Sequence, residues 1–174
     1  MRARTRRPGF MTPRRWTVLG ILALVLILLL LNLYMQWVQS GYRQEEQAAE
    51  RTAKAETGLA EVTKADKFVW EETAWVFQGT DQAGERLFVW VTGKGAEAVK
   101  ADDGYPRAQL KADVLRELPD AKLIRIRPGL VDGKKVWEVY YSRELNVKRH
   151  YYAFYGFEDG RNIVTYTLPV RTSG

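Results

Sequence analysis

The sequence predicts an α+β protein in which one transmembrane helix precedes two small modules, each a helix packed on an antiparallel four-stranded sheet. Three observations predict this fold class. A long apolar run lies near the N-terminus. After it, one helical segment followed by four strand-like segments occurs twice in succession. Turn-forming residues, among them Asp-Gly pairs, separate the strand-like segments, which is typical of antiparallel hairpins.

The apolar run extends from Trp16 to Gln39 and contains no charged residue. A helix of about 20 apolar residues crosses the hydrocarbon core of a bilayer, which is roughly 30 Å thick. A cleaved signal peptide has a shorter apolar core of about 7–15 residues, so we favour an uncleaved signal anchor. The side chains predicted to lie at the membrane–water interfaces are Arg14, Arg15, Trp16, Tyr34 and Trp37.

The distribution of charge predicts the topology of this segment. Residues 1–37 carry six arginines and no acidic residue, whereas the rest of the chain has 21 Lys and Arg against 21 Asp and Glu. Because cytoplasmic flanks are enriched in positive residues, we expect residues 1–15 to be a cytoplasmic tail and residues 16–38 the single transmembrane helix. Residues 40–174 would then be extracellular. A nucleic-acid partner is not expected, since its basic patch would lie on the folded part.

The first module is predicted to span residues 39–103, including a stalk helix from about Tyr42 to Val62. This helix is rich in Ala, Glu, Gln and Lys, which are strong helix formers. Its small side chains, such as Ala49 and Ala53, suit close packing on a sheet. A coiled-coil dimer is the competing interpretation, but the candidate core positions are only weakly apolar. Four strands are predicted at Asp66–Trp70, Ala74–Gly79, Arg86–Val91 and Glu97–Ala101.

The second module is predicted to span residues 104–174. Its helix, Pro106–Leu118, starts at a proline suited to the first helical position and has an apolar residue every fourth position on one face. Alternation along the next strand predicts Leu123, Arg125 and Arg127 on one face. Its four strands are predicted at Ala121–Pro128, Lys135–Ser142, Arg149–Phe157 and Asn162–Pro169.

Aromatic residues are dense between Val136 and Gly160. Modules this small bury little surface alone, so we expect large aromatic side chains in each core, and a packed interface between the two modules. Neighbouring residues on a strand point to opposite faces, so one member of each tyrosine pair should face outward. The candidate partner-contact residues are Tyr140, Tyr141, Tyr151 and Tyr152.

No catalytic, cofactor or metal site is expected. The chain has one histidine, His150, and no cysteine, which excludes the usual zinc ligand sets. Ser142 lies on a neighbouring predicted strand and could approach His150, but no G-x-S-x-G elbow surrounds it. No glycine-rich phosphate loop is present either. We therefore expect a non-enzymatic protein without a cofactor or a small-molecule substrate.

The strings at Gly79–Val91 and Lys135–Tyr140, the latter followed by a strand and an Asp-Gly turn, resemble the TseB (YpmB) family of Gram-positive bacteria. The resemblance covers nearly the whole chain after the basic tail. It implies two PepSY-like, cystatin-like modules and a role in regulating cell-wall (peptidoglycan) elongation. The resemblance implies a monofunctional penicillin-binding transpeptidase as the protein partner, beside the lipid bilayer that the apolar run predicts. The alternative is a PepSY-type inhibitor or chaperone module that acts on an envelope peptidase.

Overall fold

The computed structural model describes residues 13–144 and 146–169, without the side chains of residues 13–15 and 36–40. The chain divides into two compact units, residues 1–45 and 46–174. The first described element is helix α1 (Pro13–Thr57), which contributes residues to both units. Its segment Trp16–Met35 is exposed throughout and is long and apolar enough to cross a membrane.

Two antiparallel four-stranded sheets and a second helix form the rest of the described chain, as the α+β prediction requires. The strands of sheet A are β1 (Leu59–Val69), β2 (Thr73–Asp81), β3 (Arg86–Thr92) and β4 (Gly95–Lys100). Helix α2 (Arg107–Glu117) follows. The strands of sheet B are β5 (Lys122–Val131), β6 (Lys134–Glu144), β7 (Lys148–Gly156) and β8 (Asn162–Thr167). In each sheet the spatial order of the strands equals their order along the chain.

The stalk helix ends earlier than the sequence predicts. It stops at Thr57, and the residues up to Val62 belong to β1 instead. Gly58 has a φ of 74°, a left-handed conformation that glycine adopts at low cost and that commonly ends helices. Pairing of β1 with β2 from Leu59 onward then outweighs the helix propensity of the Ala- and Glu-rich sequence.

A second correction concerns the first strand of sheet B. The register shifts between Leu123 and Arg125, so that Leu123 pairs with Tyr141 and Arg125 pairs with its neighbour Tyr140. Ile124 is the extra residue of this bulge and is exposed. Leu123 therefore lies on the opposite face from Arg125, because a one-residue insertion reverses the alternation of side chains.

Each sheet packs one face against a helix. Ala49 and Ala53 of α1 are buried against Trp75, Phe77 and Val89 of sheet A. Their small side chains let the helix approach the sheet closely, as predicted. Sheet B is covered by α2, whose buried residues are Leu110 and Val114.

The remaining face of sheet A packs on sheet B through large aromatic side chains. Phe68 and Phe154 meet edge to face at 6.4 Å between ring centroids. The indole of Trp90 is buried and donates a hydrogen bond to the carbonyl oxygen of Gly129 at 2.9 Å. A Cβ at Gly129 would lie 2.5 Å from the Phe68 ring, so only glycine fits there without displacement. Large aromatic side chains thus fill the contact between the two sheets, while the module boundary at 103/104 stays a prediction.

Candidate partner-contact surface

Four side chains form a line across the whole width of sheet B, one from each strand. Arg125 on β5 pairs with Tyr140 on β6, Tyr140 pairs with Tyr152 on β7, and Tyr152 pairs with Tyr166 on β8. Residues directly opposite each other on paired strands share a face of the sheet. We call Arg125, Tyr140, Tyr152 and Tyr166 the cross-strand row; it lies on the face of sheet B that also carries Phe154.

The rings of the row pack against one another. Tyr140 and Tyr152 are nearly parallel, with ring centroids 4.6 Å apart. Tyr140 also stacks on His150 at 5.6 Å, and its hydroxyl lies 3.0 Å from Nδ1 of that histidine. The faces of the Tyr140 and Tyr152 rings therefore cover each other, and the Tyr140 hydroxyl has a partner within the same face of the sheet.

Trp70, from the turn between β1 and β2, bounds the row on one side. Its ring lies 5.8 Å from Tyr152 and 5.5 Å from Tyr166. It also meets Phe154, a buried residue of the contact between the sheets, at 5.0 Å. Trp70 therefore contacts both the row and the packed contact between the two sheets. Tyr166, the member of the row on edge strand β8, is 42% exposed.

A buried carboxylate lies in the adjacent position on the same face. Glu138 is 1% exposed and accepts hydrogen bonds from both Arg125 and Arg127 at 2.9–3.2 Å. Two guanidinium groups share one carboxylate, so the cluster keeps one net positive charge. The Arg125 side chain is 42% exposed and lies 5.7 Å from the Tyr140 ring. Burial by itself lowers the pKa of Arg125, but the hydrogen bonds and charge of Glu138, together with Tyr152, outweigh burial and raise it. The cation thus stays charged beside the row.

Two of the four predicted contact residues lie on the other face. Tyr141 and Tyr151 stack at 5.1 Å between centroids, on the side of sheet B that α2 covers. Tyr141 is buried, and that burial raises the pKa of its hydroxyl. The structure therefore groups Tyr140 with Tyr152 and separates them from Tyr141 and Tyr151. Whether any of the four touches a partner stays a prediction.

Ser142 and His150 are directly paired on neighbouring strands. The serine is buried, however, and Nδ1 of the histidine lies at hydrogen-bonding distance from the Tyr140 hydroxyl. Over residues 13–144 and 146–169, no group of three or more His, Asp and Glu side chains is placed to hold a metal ion. His150 therefore contributes to the packing and hydrogen bonding of the row.

Among the predicted membrane-interface residues, Trp16 and Tyr34 lie at the two ends of the apolar segment and are exposed. The side chains of Arg14, Arg15 and Trp37 lie outside what the structure describes.

Sequence reasoning did not assign Arg125, Tyr166 and Trp70 to the contact surface. Tyr166 and Arg125 join the row only through the strand register, and Trp70 comes from the turn between β1 and β2, outside sheet B. The alternation of β8 could have indicated that Val164 and Tyr166 share one face. It could not show which neighbours that face meets.

Comparison with known proteins identifies the family. The family model described as "Cell wall elongation regulator TseB-like domain" matches residues 48–92. A protein of Bacillus subtilis (strain 168), named "Probable cell wall elongation regulator TseB", is 34% identical over 134 residues, which cover 75% of this chain and 74% of that protein. The chain belongs to the TseB family. The solved YpmB protein from Bacillus subtilis has the same fold, with a TM-score of 0.62, 25% identity and coverage of 70% of this chain and 96% of that one.

The family match and the cross-strand row cover different parts of the chain. Residues 48–92 contain the end of α1 and strands β1, β2 and β3, together with Trp70. The row itself lies on β5 to β8. The TseB family model therefore supports the role of a cell-wall elongation regulator without assigning a contact surface.

Proposed function

We propose that this TseB-family protein is a single-pass membrane protein that regulates peptidoglycan elongation by extracellular contact with a penicillin-binding transpeptidase. It would act without chemistry of its own. The cross-strand row carries this proposal, because it combines stacked, half-buried tyrosine rings with the exposed side chains of Arg125 and Tyr166 on the folded part. The apolar segment Trp16–Met35 and the preceding arginines support a membrane anchor with residues 40–174 outside.

The composition of the row suits a protein partner. Tyrosine, tryptophan and arginine are enriched at protein interfaces and among the residues that dominate binding energy. Tyr140 and Tyr152 are already held against each other and against Trp70 or His150. Because these side chains are ordered before binding, contact with a partner costs little further side-chain entropy. The net positive charge beside Arg125 favours a partner surface with acidic groups.

A site-specific crosslink tests the proposal. A photo-crosslinking amino acid is placed at Tyr152 in the full-length chain, and the matched control carries it at Tyr151, the next residue on the opposite face. Penicillin-binding proteins are identified afterwards by covalent labelling with a fluorescent penicillin. We expect position 152, and not position 151, to give a crosslinked band that carries the penicillin label. Equal crosslinking from both positions, or no labelled band from position 152, would contradict the proposal.

A further inference from the structure

Strand β8 differs from the other open edges of the two sheets. The edge strands of the described chain are β1 and β4 in sheet A and β5 and β8 in sheet B. Edge strands of natural proteins are commonly protected from further pairing by charged residues, prolines or bulges. Strands β1, β4 and β5 all contain Lys, Arg, Asp or Glu, and β5 also contains a proline. The sequence of β8, NIVTYT, contains no charge and no proline.

The hydrogen-bond register identifies which backbone groups of β8 face outward. The N–H of Leu168 donates to the carbonyl oxygen of His150 at 2.9 Å. In an antiparallel pair, hydrogen-bonded positions alternate with positions whose backbone groups point away from the neighbour. With the register of β7 and β8, Tyr166 is then bonded to β7, while Thr165 and Thr167 direct their N–H and C=O groups toward the open edge.

The two faces beside this edge differ in chemistry. Tyr166 and Val164 lie on the face of the cross-strand row, and Tyr166 is its last member. Ile163 is 47% exposed and lies at the start of the strand. A strand added here would therefore gain backbone hydrogen bonds and would extend the row by one side chain next to Tyr166. Alternate side chains of the added strand would decide the specificity.

We infer that the open edge of β8 accepts an extended, uncharged segment of the protein that contacts the cross-strand row, as a fifth strand of sheet B. This inference rests on the proposed function and adds the mode of recognition. We expect the segment to be uncharged, because no residue of β8 could form an ion pair with a charged side chain on it. An apolar or aromatic residue is expected opposite Val164 or Tyr166.

A contact between two copies of this chain through β8 alone would be small. Six residues of strand are about 20 Å long at roughly 3.3 Å per residue. Pairing along that length buries only a few hundred Å², whereas a stable dimer needs about 1,000 Å² or more in total. A partner that covers both the edge and the adjacent row buries more surface. The observations therefore favour the partner of the row over a second copy.

Proline at an outward-facing edge position removes one donor and blocks strand addition, while the pairing with β7 is kept. We propose to combine Thr165→Pro with the photo-crosslinking residue at Tyr152 in the full-length chain. Thr165→Val is the matched control, since it changes the side chain and keeps the backbone N–H. Loss of one or two hydrogen bonds should lower the yield of the penicillin-labelled crosslink roughly tenfold for the proline variant. The valine variant should match the unmodified chain.

Thr165→Asp is a second test variant, which keeps the inference testable if the proline variant does not fold. It leaves the backbone donor intact and introduces a charge at the edge. We expect it to reduce the crosslink as well. If both variants fold and crosslink as well as Thr165→Val, the inference is overturned while the proposed function stands. If the unmodified chain gives no labelled crosslink from position 152, the proposed function fails and this inference fails with it.

A separate experiment tests whether a second copy of this chain pairs with the open edge of β8. The natural chain has no cysteine, so Thr165→Cys introduces a single thiol at the edge. Under mild oxidation of intact membranes we expect this variant to remain monomeric. The control is a cysteine at Ala98 on β4, an edge strand of sheet A. A disulfide-linked dimer that forms from position 165, and not from position 98, would show that β8 pairs with itself and would overturn the inference.

Discussion

Replacing Glu138 by leucine should destabilise residues 46–174 by about 3–5 kcal/mol, the usual cost of removing one partner from a buried ion pair. Glu138 is 1% exposed, and both arginines that bind it donate two hydrogen bonds. Without the carboxylate, Arg127 would remain charged with only 20% of its side chain exposed. Arg125 contributes less to the loss, because its side chain is 42% exposed and water screens its charge.

The double variant Arg127→Leu/Glu138→Leu tests whether the unpaired charge of Arg127 causes this loss of stability. The double variant leaves only the 42% exposed Arg125 without its carboxylate partner and no unpaired charge at the more buried Arg127 position. It should therefore be more stable than Glu138→Leu alone, although it lacks one more native residue. The free energy of unfolding is measured by urea titration of residues 40–174, which contain the compact unit 46–174, with tryptophan fluorescence as the signal. A double variant as unstable as the single one, or less stable, would show that the unpaired charge of Arg127 is not the cause of the loss.

Three further changes follow from local geometry. Gly129→Ala should cost about 1–3 kcal/mol, since its Cβ would meet a buried ring at 2.5 Å, whereas Gly93→Ala, with open space around it, should be nearly neutral in the same urea titration. Gly58→Ala should cost about 1 kcal/mol because φ is 74° there; an unchanged thermal midpoint would contradict this. A hydrogen bond from Tyr105 holds the pKa of Asp113 below its ordinary value. Its stabilisation is therefore present above the pKa of the unfolded chain and is lost as the pH falls through the lower folded value. Asp113→Asn should flatten the acid limb of a plot of stability against pH, and an unchanged limb would count against the assignment.

The two sheets could be predicted from the sequence because alternation and turn residues are local signals. The second sheet shows this most clearly. Asp132-Gly133 indicates the turn between β5 and β6, and the tyrosine pairs indicate the side-chain alternation along β6 and β7. The end of the stalk helix could not be predicted in the same way. Between Gly58 and Val62 the sequence favours helix, and only pairing with β2, made of residues distant in sequence, turns it into a strand.

The candidate surface was predictable only in part. Alternation correctly separates Tyr140 from Tyr141 and Tyr151 from Tyr152. It does not indicate which of the two faces a helix covers and which face meets the other sheet. The bulge at Ile124, which brings Arg125 onto the face of Tyr140, leaves no signal in the local sequence. A row across four strands is a property of the combined registers, and those depend on contacts between distant segments.

We expect the cross-strand row to link this TseB-family protein to wall elongation. The most direct measurement is the rate of peptidoglycan incorporation, followed with a fluorescent D-amino acid, in cells that carry Arg125→Gln/Tyr152→Ala at the normal protein level. Tyr151→Ala, on the opposite face, is the control. We predict that the row variant incorporates the label at the rate of cells that lack the protein, and that the control incorporates it at the normal rate. A normal rate in the row variant, with the protein folded and present, would contradict the claim.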